Sequence, residues 1–134
     1  MDLDVTPEGT DDPLMRGLGD RVHMFVWHND EVRPGHPMMR VLAASTDCPN
    51  HVWRYGDAPI WGVQGHPELK AVEAVTLFER HRERLVDDGA DPDDLVSDVV
   101  DSEGATRLVD NFIDIVVNGT RAKPASAGST GTSD

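Results

Sequence analysis

A chain of 134 residues is long enough for one domain with a real core and too short for two. Its 25 acidic side chains outnumber 12 basic ones, for a formal charge of -13. Such a field repels phosphate, which excludes nucleic acid and anionic membrane as general partners and leaves small molecules and proteins.

The kind of charge adds to this. There are 18 Asp against 7 Glu, and 10 Arg against 2 Lys. Short hydrated carboxylates in this excess resemble the surfaces of salt-adapted proteins, predicting a halophilic chain whose fold weakens when salt no longer screens their repulsion. The single cysteine, Cys48, permits no intrachain disulfide and no cysteine-based zinc cluster, as suits a reducing compartment. No apolar run approaches the roughly 20 residues that span a bilayer, and MDLDVTPEGT has neither the basic nor the apolar region of a signal peptide. A cytoplasmic location is the expectation.

Residues 1–20, rich in Gly, Pro and Asp, read as a loop with one helical turn around Leu14, Met15 and Leu18. VHMFVWH (22–28) has the β-branched and aromatic content of a strand, and HNDEVRPGHP breaks it. Further strands are expected at RVLAAS (40–45), HVWRY (51–55) and IWGVQ (60–64), the last apolar enough to suggest burial on both faces. Ala71, Ala74, Val75, Phe78 and Leu85 then recur at helical spacing, Pro92 suits the first turn of a short helix through Val99, and Ala105, Leu108, Val109, Phe112, Ile113 and Val116 mark a final amphipathic helix ending near Gly119. Residues 121–134 form a polar low-complexity tail expected to be disordered. Four short strands followed by helices fit either a small α+β domain or the trailing part of a larger α/β one.

The chemistry concentrates in WGVQGHPE, residues 61–68. Gly62 and Gly65 flank a strand end where a missing side chain admits another backbone or a ligand. His66 stands at the strand terminus, stiffened by Pro67, with Glu68 two residues on. A carboxylate beside an imidazole fixes its tautomer and stabilises the imidazolium, leaving the other ring nitrogen to act as base for a thiol or hydroxyl. The plainer alternative is that His66 caps a turn while Glu68 favours the positive end of the next helix.

The ordered segments WHNDEV, LAASTDCPN and GVQGHPE strongly resemble the wH.D.v, LA.S and G.Q.HPE signatures of the class I glutamine amidotransferases, most closely the stand-alone and GMP-synthase-like glutaminase members. The resemblance runs from about residue 5 to 120 and covers the second half of that family's domain. It implies a flavodoxin-like α/β fold with an incomplete sheet, and a Cys-His-Glu triad that hydrolyses glutamine to glutamate and ammonia, with His66 as base and Glu68 as orienter. Relatives usually carry an aromatic residue before the histidine, where this chain has Gly65. The absent ring predicts looser packing of the imidazole.

The nucleophile of that family sits on a G.C.G.Q turn upstream of wH.D.v, and residues 1–134 contain no such motif. Cys48, in STDCPN, has no flanking glycine and is followed by proline, so it is expected to be a structural thiol rather than a nucleophile elbow. Two outcomes follow. The chain completes a glutaminase site with a separately encoded or upstream N-terminal half, glutamine being the substrate and the exposed sheet edge the place of contact with that protein partner. Alternatively it is a catalytically silent remnant or a binding subunit that pairs with another chain. Alone, without nucleophile and oxyanion donors, it is expected to be inactive.

His28 with Asp30 could form a second acid–base pair, though shaping a loop is the simpler role. A metal-assisted hydrolase would gather His23, His28, His36 and His66 with Asp30 or Glu68, but the histidine spacings match no known ligand pattern, so neither metal nor cofactor is expected. Trp27, Trp53 and Trp61 are expected in strands as core residues.

Overall fold

The computed structural model describes residues 1–33 and 35–119. The segment expected to be a disordered tail, 121–134, lies outside the described residues. Five strands, β1 (Asp2–Val5), β2 (Arg21–His23), β3 (Met39–Ala44), β4 (Val52–Tyr55) and β5 (Trp61–Val63), form one sheet in the order β2-β1-β3-β4-β5. Every neighbouring pair is antiparallel.

The four expected strands are all present, and β1 is an addition. Its sequence DLDV alternates acid and apolar, with Leu3 fully buried and Asp2 and Asp4 outward. Such a short acidic segment is a poor strand by propensity, and pairing on both sides overrides that. On the outward face Arg21 bonds Asp4 at 3.0 Å and His23 bonds Asp2 at 2.7 Å across the β1–β2 ladder. The His23 contact holds the Asp2 carboxyl below the usual carboxylate range.

Register places Leu3 opposite Val22, Val5 opposite Ala43, and Val52 opposite both Ala43 and Val63, so these side chains line one face. A bulge between Val41 and Ala43 bends β3. The helices are α1 (Pro7–Thr10), α2 (Ala71–Arg80), α3 (Arg82–Asp87), α4 (Pro92–Ser97) and α5 (Glu103–Asn118), with a 3-10 turn at Pro13–Met15. Leu108 and Ile115 of α5, Leu14 and Met15 of the 3-10 turn and the inward strand residues make one core.

Three local expectations change. β2 ends at His23, because the following backbone turns its Phe25 carbonyl to His66 N, at 2.7 Å. The helix expected over 71–85 breaks at His81, whose N–H is shared between the Leu77 and Phe78 carbonyls and whose ring packs edge-on against Trp27. β5, expected to be buried on both faces, is an edge strand that stays half-buried throughout, so its apolar run marks one covered face and one uncovered flank.

Residues 1–20 also hold a buried ion pair. Asp12 accepts from Arg54 Nη1 at 3.1 Å, from Trp61 Nε1 at 3.0 Å and from the Leu14 amide at 3.0 Å. Arg54 spends its other donors on the Ala58 and Asp57 carbonyls and lies 4.6 Å over the Trp61 ring. With both residues buried, the pair clamps the 3-10 turn to β4 and β5.

Candidate active site

The stretch after β5 is fixed from several sides before it reaches the imidazole. The Gln64 side chain donates to the Asn50 carbonyl at 2.9 Å and to Cys48 Sγ at 3.1 Å, and its Oε1 accepts from the Val32 amide at 3.1 Å. It therefore ties β5 to two loops at once. Gly62 and Gly65 are required by close approach, although of side chains rather than of a ligand: a Cβ on Gly62 would collide with the Trp53 indole, and one on Gly65 with Met24 Sδ. Met24 occupies the space over Gly65, and the Phe25 ring stands 6.0 Å from that of His66.

His66 Nδ1 meets Glu68 Oε1 at 3.0 Å, with the imidazole side chain 40 % exposed. The two side chains that the sequence singles out are therefore directly paired. Glu68 does not serve the following helix, because α2 begins at Ala71 and its first turn carries Glu73, whose Oε2 accepts from the Lys70 amide at 2.8 Å. Asp101 Oδ1 takes the Ala71 amide at 2.8 Å. With the helix start satisfied by other carboxylates, Glu68 is left to the imidazole. His66 opens onto a cleft of about 400 Å³ walled by Trp27, His28, Asp30, Leu77 and His81. Chemically, the arrangement offers an oriented imidazole, with Nε2 as the nitrogen able to take a proton.

His28 and Asp30 do not form an acid–base pair. His28 Nδ1 bonds the Asp30 backbone carbonyl at 2.8 Å, a contact that shapes the WHND loop. The four-histidine metal set is not assembled either: His23 bonds Asp2, His36 Nδ1 accepts from the Met38 amide, and His66 bonds Glu68. Among the described residues, the His, Cys, Asp and Glu side chains close enough to share an ion are instead His28, Cys48 and His51. Cys48 is buried, more fully than expected of a structural thiol at a turn. His51 went unnoticed in the sequence, where it reads as the first residue of a strand. Burial, followed by the nearby His28, lowers its pKa and keeps it neutral. Trp27 lies outside any strand, and all three tryptophans are half-buried rather than core.

The family model described as glutamine amidotransferase class-I matches residues 2–81. A glutamine-hydrolyzing GMP synthase subunit from Pyrococcus abyssi is 36% identical over 63 residues, covering 47% of this chain and 34% of that protein. Its counterpart from Methanothermobacter thermautotrophicus is 37% identical over 59 residues, covering 44% and 32%. The crystal structure of a glutamine amidotransferase from Thermotoga maritima is similar with a TM-score of 0.61 at 22% identity, over 87% of this chain and 48% of that one. The matches thus span about a third of the length of these curated relatives. The fold they share is the flavodoxin-like α/β arrangement.

Proposed function

Because the chain belongs to the class I glutamine amidotransferase family, we propose that His66 and Glu68 are the base and orienter of a glutamine-hydrolysing site whose nucleophilic cysteine lies in polypeptide outside residues 1–134. The observation that supports this reading is the 3.0 Å His66–Glu68 contact at the rim of an open cleft. In the proposed reaction, His66 Nε2 takes the thiol proton as sulfur attacks the amide carbon of glutamine, then returns it to the departing ammonia. Water activated by the same nitrogen cleaves the thioester to glutamate. Glu68 keeps Nδ1 protonated and stabilises the imidazolium in both half-reactions.

A surface for the nucleophile-bearing polypeptide lies beside the HPE turn. An apolar cleft of about 300 Å³ runs between the β5 edge and α5, lined by Trp61, Val63, Pro67, Leu108, Val109 and Phe112. It continues onto exposed Val116, and among the described residues β5 pairs with β4 alone. Backbone and apolar surface left open at one edge favour a further strand and its helix. The curated relatives are named as subunits, which supports pairing with another chain.

The test is complementation. Purified alone, the chain releases no ammonia from glutamine. Mixed with a separately expressed half carrying a G.C.G.Q turn it does, and His66→Ala lowers the restored kcat roughly 10²–10⁴-fold, with Glu68→Ala less severe. A restored activity indifferent to His66→Ala would sink the assignment. A half that binds without restoring activity would identify the chain as a silent pairing partner.

A further inference from the structure

His51 is fully buried, and neither ring nitrogen has a hydrogen-bond partner. An imidazole in that state forfeits the interactions water would give both nitrogens. Such an orphan calls for an occupant. Its surroundings supply the rest of a donor set: one ligand atom each from His28, Cys48 and His51 lie within 4.8 Å of one another. Ligands at about 2.0–2.3 Å from a shared ion stand roughly 3.3–3.8 Å apart, so a contraction of at most about 1.5 Å closes the set.

We propose that His28, Cys48 and His51 bind one thiophilic transition-metal ion, Zn(II) by preference, at a site separate from the His66–Glu68 pair. The neighbours are arranged as metal ligands require. A carbonyl can only accept, so the 2.8 Å contact between His28 Nδ1 and the Asp30 carbonyl puts the proton on Nδ1 and leaves the Nε2 lone pair for the ion. Gln64 Nε2 donates to Cys48 Sγ at 3.1 Å, and the Cys48 amide donates to Ser45 Oγ at 3.1 Å, contacts that fix the position of the sulfur. Two imidazoles and one thiolate suit Zn(II) or copper over the oxygen-seeking Mg(II) and Ca(II). One cysteine suffices where two histidines converge on it, which the sequence does not show because Cys48 and His51 come from one turn and His28 from another loop.

Binding forms one metal–sulfur and two metal–nitrogen bonds and releases one proton, that of the Cys48 thiol, to buffer. The ion would fasten the WHND loop, a wall of the His66 cleft, to the turn before β4.

The full chain, purified metal-free under reducing conditions, is titrated with Zn(II) by calorimetry in two buffers of different ionisation enthalpy, and with Co(II) by absorption. The expected result is one equivalent bound, about one proton released, a thiolate-to-cobalt charge-transfer band and a raised thermal midpoint. Cys48→Ala abolishes the band. Removing an outer partner of a metal ligand costs about 10–100-fold in affinity, so loss of a ligand itself in His28→Ala or His51→Ala costs at least that, while His36→Ala changes nothing. His28 is half-buried, so His28→Ala keeps the test decisive if Cys48→Ala or His51→Ala fails to fold. Absence of the charge-transfer band at one equivalent, or zinc affinity unchanged by His28→Ala, overturns the proposal.

Discussion

Asp12 shows how much a single side chain carries in this molecule. Its carboxylate is buried against Arg54 and Trp61, so Asp12→Ala leaves a guanidinium enclosed without its counter-charge, and breaking such a pair costs about 3–5 kcal/mol. Urea unfolding at fixed salt should show that loss, with Asp12→Asn losing less because it keeps an acceptor for the Trp61 indole. An unfolding midpoint unaltered by Asp12→Ala would mean that Arg54 finds other partners. Nothing local announces this pair: its members are 42 and 49 residues apart, and an Asp among many acids before a proline reads as loop. The His66–Glu68 pair was legible because both members lie in one short turn that resembles the HPE signature; their spacing by itself equally fitted a turn cap and a helix-start carboxylate. The His28, Cys48 and His51 cluster was not, since it exists only once two loops are folded against each other.

At the level of elements, α5 and β5 share one lesson. The periodicity of α5 is right, and the helix runs from its Ser102 cap to Gly119, but its apolar arc is wider than the core beneath it. Ala105, Leu108 and Ile115 are buried, whereas Phe112, Ile113, Val116 and Val117 are exposed. Sequence pattern reports which residues avoid water, not which of two neighbours will cover them, so β5 likewise read as buried on both sides. The uncovered flank should therefore behave as an interface. Phe112→Asp with Val116→Asp, compared at about 1 M KCl where the added charge is screened, should shift the chain's own thermal midpoint by no more than about 5 °C, while abolishing complementation by the nucleophile-bearing half. Unimpaired complementation by that double variant would move the contact elsewhere.

Across the whole molecule, charge and mechanical coupling dominate. A net charge of -13 on 134 residues implies self-repulsion that falls as the screening length shrinks from about 10 Å at 0.1 M salt to about 3 Å at 1 M. The thermal midpoint should rise steeply with KCl and more than it does with an equal osmolarity of sucrose; parallel responses would assign the effect to exclusion of cosolute rather than to charge. None of the helices among the described residues is long and apolar enough to cross a membrane. Strand and helix periods gave the order of strands then helices but left α+β and α/β both open, and the family resemblance chose between them, while β1 was hidden by its acids and the loop after β2 by its strand-like composition. That loop has a wider meaning. Met24 fills the hollow over Gly65 while exchanging backbone hydrogen bonds with Met1, and Phe25 offers its carbonyl to the His66 amide, so the imidazole inherits its position from the stretch just past the end of β2. Whatever docks against or rigidifies this stretch acts as a lever on the His66–Glu68 geometry, and under the proposed glutaminase reading a change here would retune turnover while every reacting group stays the same.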